Sequence, residues 1–144
     1  MSNDLIDPSS QIHPSAEIGP DVRIGPWCTV GENVTIGAGS VLESHVVIRA
    51  NTRMGSNNRI FQFCSIGEDP SDRKFEGEET WLEIGDSNVF REGVTAHRGT
   101  GAGGGLTKIG SYNLQMPYVH IAQIVSWAIT RFLQITSAYL VMYK

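Results

Sequence analysis

Four histidines are the side chains of this 144-residue chain best suited to move a proton near neutral pH. His97 stands in an Ala-His-Arg-Gly-Thr segment and His120 in Val-His-Ile-Ala-Gln, while His13 and His45 lie early in the chain and read as structural hydrogen-bonding groups. His45, His97 and His120 do not show the spacing of a zinc site built from three converging imidazoles. Cys28 and Cys64 are too few for a disulfide scaffold. The run Gly101–Gly105 lacks the Gly-Lys-Ser/Thr of a phosphate-binding loop and reads as a hinge. The densest charge lies in Gly67–Trp81, where Asp72 and Lys74 sit two apart; taken alone, such a stretch is a solvated loop.

The element that must position these groups is a repeat. From Ile12 the chain reads in sixes, with Ile12, Ile18, Ile24, Val30, Ile36, Leu42, Ile48, Met54, Ile60 and Ile66 at the first positions. Those residue types make up about a quarter of the chain, so ten in a row has a chance probability on the order of 10⁻⁶. Glycine often follows, and the fifth position is small or β-branched, as in Ala16, Val22, Cys28, Ser40 and Asn58. A period of six fits no helix, and Pro14, Pro20 and Pro26 would break one. Short strands joined by tight turns fit: three make a triangular coil of about 18 residues, and coils stack at the ~4.8 Å strand spacing. The reading is an all-β parallel β-helix from Ile12 to residue 123, after a lead-in over 1–11. Cys28 and Cys64 then share a face two coils apart, too far for a disulfide, and are expected to be reduced core residues.

Two interruptions leave the register, at 69–80 and 96–107, with hexads between them at Ile84 and Phe90 and after them at Ile109. Loops that leave a rigid solenoid are where function usually sits. The composition narrows the class. Apolar residues at 40% exclude a disordered chain, and a net charge of −4 argues against a nucleic-acid binder that neutralises phosphates. The first twenty residues lack the basic and apolar regions of a signal peptide, so a cytoplasmic protein is expected.

Several stretches, HPSAEIGPDVRIGP, QFCSIGEDPSDRKFEGE, EIGDSNVFREGVTAHRGT and GGGLTKIGSYNLQM, resemble the acyl-carrier-protein–UDP-N-acetylglucosamine O-acyltransferase family, which opens lipid A biosynthesis. The resemblance implies a left-handed β-helix, a homotrimer with sites between subunits, and transfer of a 3-hydroxyacyl chain to the glucosamine 3-hydroxyl. It implies acyl carrier protein and UDP-N-acetylglucosamine as partners. No cofactor or metal is implied beyond the carrier's phosphopantetheine. Asp72 and Lys74 match positions that contact the sugar nucleotide, His97 a histidine of the cleft, and His120 the histidine beside the catalytic base. Two other readings remain open: an acetyl-coenzyme-A-dependent hexapeptide acyltransferase, and a non-catalytic β-helix fragment.

The chain departs from the family at the base itself. His-Ile-Ala-His becomes His120-Ile121-Ala122-Gln123, and a carboxamide has no basic lone pair. From Ile124 to Lys144 the resemblance stops, in an aberrant apolar tail with a single formal charge, Arg131. A one-base deletion in a histidine codon at 123 would produce that change. Read in the lost frame, the tail permits Asp-Cys-Leu-Val-Gly-Asp-His-Thr, which is hexad sequence, with its glycine forced by the Trp127 and Ala128 codons. The tail is too interrupted to span a membrane, so no membrane span is expected, and a helix there is plausible. The chain as written is expected to be inactive and to expose its last coil.

Overall fold

The computed structural model describes residues 4–122 except 72, 74, 102 and 103, together with the backbone of 132–133 and 139–141. Asp72, Lys74 and Gln123 lie outside the described residues. Short parallel strands, mostly two residues long, wind through three faces as a left-handed β-helix. One face runs Gln11–Ile12, Thr29–Val30, Val47–Ile48, Ser65–Glu68, Thr95–His97, His120–Ala122 and Tyr139–Val141, and is called here the histidine face. The second, the charged face, runs Glu17–Ile18, Thr35–Ile36, Thr52–Met54, Trp81–Ile84 and Leu106–Ile109. The third, or mixed, face runs Arg23–Ile24, Val41–Leu42, Arg59–Ile60, Val89–Phe90, Leu114–Gln115 and Phe132–Leu133.

The inward column follows from the hexad. Ile18 pairs with Ile36, Ile36 with Met54, Met54 with Ile84, and Ile84 with Ile109, so the first-position side chains stack. Equivalent columns run through Ile24, Leu42, Ile60 and Phe90, and through Val30, Ile48, Ile66, Ala96 and Ile121. Nearly all are buried, and each CH2 removed from water contributes roughly 0.8 kcal/mol. Backbones approach closely enough that a Cβ on Gly37 would lie 2.5 Å from the Gly55 carbonyl. No side chain fits there. Cys28 and Cys64 are free and buried in one column, with Val46 between their levels. Their thiols donate to the carbonyls of Glu43 and Arg91, and burial pushes Cys64 up to about 12.

One buried column is polar. Asn58 Oδ1 accepts from the backbone N–H and the amide of Asn88, and Asn88 Oδ1 accepts in the same way from Asn113. The amide of Asn58 donates to the Gly55 and Gly85 carbonyls, and that of Asn88 to Gly110. The sequence reading took Asn58 as small filler at the fifth position. Stacked asparagines instead tie turn to turn across coils. Among the described residues the ladder ends at Asn113, whose buried Oδ1 has no partner there.

The boundaries differ from the sequence reading at three places. Ile6 bridges Ile24, and Asp7 donates to the Ile24 carbonyl, so the lead-in already lies on the mixed face. The second loop spans 98–105, because Thr95–His97 and Leu106–Ile109 pair as strands on either side of it. In the tail, Phe132–Leu133 pairs with Leu114–Gln115, and Tyr139–Val141 with His120–Ala122, where a helix was plausible. Open strand edges attract any extended segment of matching spacing.

Candidate functional site

Both loops leave the β-helix at one corner. Ser65 pairs with Thr95, thirty residues on, and Thr95 with His120, twenty-five on, where an uninterrupted coil takes eighteen, as from Ser65 back to Val47. The excess sits between the histidine face and the charged face each time. The loops also approach each other: a Cβ on Gly101 would lie 2.5 Å from Glu78 Oε2. Both loops thus stand at the corner between the histidine face and the charged face.

On the histidine face His97 and His120 lie on adjacent coils, with their rings edge-to-face at 4.5 Å between centroids. The pairing of Thr95 with His120 places the Thr95 hydroxyl on His120 Nδ1 at 2.5 Å. Ser71, at the start of the first loop, puts its hydroxyl 3.1 Å from His97 Nδ1. The first loop therefore touches the histidine face. Burial holds the His97 pKa below its ordinary value, with the neighbouring His120 acting the same way and Glu68 and Asp69 opposing. Burial lowers His120 too. Both rings are thus uncharged at pH 7. Their outer nitrogens suit hydrogen bonding or proton transfer, not anion attraction.

A bulge sets up this geometry. Register runs from Ile66↔Ala96 to Glu68↔His97, skipping Gly67, which adopts φ +83°. A Cβ there would meet Thr52 Oγ1 at 2.1 Å, so only glycine fits. The extra residue swings Glu68 alongside His97 and starts the loop. Glu68 also pairs with Arg49 at 3.4 Å, an exposed contact of little energetic weight.

The structure thus brings His97 and His120 together and keeps His13 and His45 away. His13 bonds Ser15 in its own turn, and His45 lies against Phe63 at another corner. Ser71, Thr95, Glu68 and Arg98 were not singled out from sequence. Only Arg98, adjacent to His97, and Thr95, a coil before His120, carried any signal. Among the described residues no group of His, Cys, Asp and Glu could hold a metal ion. A groove of about 680 Å³ lies under the first loop, bordered by Asn33, Arg49, Asn51, Glu78 and Arg98. The larger hollow, about 930 Å³, lies by the lead-in at Leu5 and Ile6, far in sequence from His97 and His120 and lined by neither.

The outward residues of the faces differ. On the histidine face they are Gln11, Thr29, Val47, Ser65, Thr95 and His120, none formally charged at pH 7. On the charged face they are Glu17, Thr35, Arg53, Glu83 and Lys108. Three of the exposed aromatics, Trp27, Phe63 and Tyr118, ride the corner that borders the histidine face. All three have φ near +60°, a conformation that L-residues adopt at a cost of about 1–2 kcal/mol.

No family model matches the chain. Over 78 residues, 54% of its length, it is 62% identical to the acyl-(acyl-carrier-protein)–UDP-N-acetylglucosamine O-acyltransferase of Psychromonas ingrahamii, of which those residues span 30%. Among solved structures, LpxA from Acinetobacter baumannii superposes with a TM-score of 0.84 at 56% identity, over 85% of this chain and 48% of that one. The UDP-N-acetylglucosamine O-acyltransferase of Moraxella catarrhalis gives 0.83 at 52%, with the same coverage. The chain thus spans a third to a half of the proteins it matches.

Proposed function

Over its β-helix this chain is homologous to the acyl-carrier-protein–UDP-N-acetylglucosamine O-acyltransferases of lipid A synthesis, and we propose that it carries the histidine-bearing part of their transfer site. The single observation that supports this most directly is the pair of imidazoles, His97 and His120, edge-to-face on adjacent coils beside the corner that both loops leave, with burial lowering the pKa of each. In the proposed reaction the glucosamine 3-hydroxyl attacks the thioester carbonyl of a 3-hydroxyacyl chain borne on acyl carrier protein. A base takes the hydroxyl proton, the C–S bond breaks, and the carrier's thiol leaves. His120, fixed by Thr95, orients the base, and His97 hydrogen-bonds substrate from the cleft wall. Asp72 accepts from sugar hydroxyls and Lys74 meets the diphosphate. The reaction is cytoplasmic and uses no cofactor of the protein's own.

The base position is Gln123, which cannot take that proton. The chain as written therefore binds without turning over. General-base loss alone typically lowers rate by about 10²–10⁴-fold. We attribute Gln123 and the tail after it to a one-base deletion.

The assembly proposed is the homotrimer, with the histidine face toward a neighbouring copy. A face whose outward side chains are uncharged apart from Glu68, edged by exposed Trp27, Phe63 and Tyr118, has the composition of an interface centre.

The test compares the 144-residue chain with the product of a gene carrying one extra base at codon 123. Acyl transfer by the restored product and none by the parent is expected. Transfer by the parent would overturn the role of Gln123. Calorimetry should show UDP-N-acetylglucosamine bound in preference to coenzyme A, with affinity lost in Asp72→Ala and Lys74→Ala. Coenzyme A preference would favour the acetyltransferase reading.

A further inference from the structure

We propose that Arg98 is a positioning residue: its guanidinium clamps the bulged root of the first loop so that Ser71 is held against His97. His97 and Arg98 are consecutive, so their side chains leave the strand on opposite sides. His97 faces the site. Arg98 is 8% exposed and turns under the loop. Its Nη1 donates to the Gly67 carbonyl at 2.8 Å, and its Nη2 to Asp69 Oδ1. Its backbone N–H donates to the Glu68 carbonyl at 3.0 Å. Three consecutive loop-root residues are thus gripped by one residue. The bulge makes this possible, because skipping Gly67 in the ladder leaves its carbonyl free for the guanidinium.

Stability alone does not explain the choice. Burying a cation carries a desolvation penalty that an apolar side chain of similar volume avoids. Here the penalty is only partly offset, since Arg98 Nε is buried with no partner and Asp69 is largely exposed. What the fork uniquely supplies is geometry: two N–H groups at fixed separation, one on a backbone carbonyl and one on a side chain two residues later. Two residues beyond Asp69 stands Ser71, on His97. The clamp therefore ties the placement of the loop to the strand that carries the imidazole. The next loop residue is Asp72, the proposed sugar contact.

The assignment takes its purpose from the proposed transfer site. Its test reads the loop itself, so it can fail while the transfer reading stands, and the reverse. In the full chain, Arg98→Met is expected to speed tryptic cleavage after Arg73 about tenfold or more, with little change after Arg23 and Arg59 in the coils. The nuclear Overhauser contact between Ser71 and the His97 ring should vanish. Arg98→Lys keeps the charge without the fork and should restore less than half of the protection. Asp69→Asn changes an exposed carboxylate that folding does not need, and should loosen the loop by a few-fold. If Arg98→Met fails to fold, Asp69→Asn and Arg98→Lys decide. Uniform acceleration at all sites, full rescue by lysine, or an unchanged Ser71–His97 contact would each overturn the proposal.

Discussion

The histidine face and the charged face are built by one rule and end in different chemistry. Inward, they are alike: Val30, Ile48, Ile66 and Ile121 on one, Ile36, Met54, Ile84 and Ile109 on the other. Outward they diverge. The charged face carries the exposed ion pair Arg53–Glu83 at 3.0 Å, with Arg53 over the Trp81 ring. The histidine face carries Thr29, Val47, Ser65, Thr95 and His120. In a solenoid the inner positions are bound by stacking, while the outer ones are free to be water, partner or substrate surface.

The largest effects should show the likeness. Ile48→Ala and Ile36→Ala each remove a buried side chain from a stacked column, and each is expected to cost about 2–5 kcal/mol in urea unfolding. A gap between them wider than the roughly 3 kcal/mol spread of that range would break the equivalence of the two interiors. The outer positions should then separate the faces. Val47→Glu puts a charge on the proposed interface and should weaken assembly about a hundredfold, read by sedimentation velocity. Thr35→Glu on the charged face should leave assembly unchanged. If both or neither disrupt it, the histidine face is not the contact.

Smaller effects test the polar positions inside. Asn88→Ala cuts the amide ladder and leaves the Asn58 and Asn113 groups unmatched, at about 1–3 kcal/mol in the same unfolding assay. Gln115 stacks on Phe90 in the mixed-face column, with its Oε1 buried and unpartnered among the described residues. Gln115→Leu should therefore stabilise, by about 1 kcal/mol. The smallest effect is in pH. Burial disfavours protonated His97 and His120, so the unfolded chain binds protons more readily. The stability they contribute is complete above the ordinary imidazole pKa of about 6.5 and is lost as pH falls from there to their lower folded values. Urea midpoints between pH 8 and 5 should decline, and His97→Ala with His120→Ala should flatten the decline. Glu17→Gln on the charged face should not.

The hexad register, the stacked columns and the burial of the cysteines were all legible from the residues. Each follows from a period of six, and a period is a local property that repeats. Asn58 misled, because amide stacking requires knowing what lies thirty residues away, at Asn88. The pairing of the tail strands with the last coil was equally hidden, since Phe132–Leu133 and Tyr139–Val141 carry no hexad signature and pair through backbone groups that every sequence has.

His97 and His120 are twenty-three residues apart, a separation with no meaning in the linear text. Sequence alone determined that the chain coils and what fills the coil. Only the tertiary structure decided that insertions of unequal length leave by one corner. It also decided that a skipped glycine turns Glu68 toward His97 and that Arg98 reaches back to hold the loop. The reason is register: pairing across coils is set by the summed lengths of turns and loops, and contacts between coils exist only once that sum is closed.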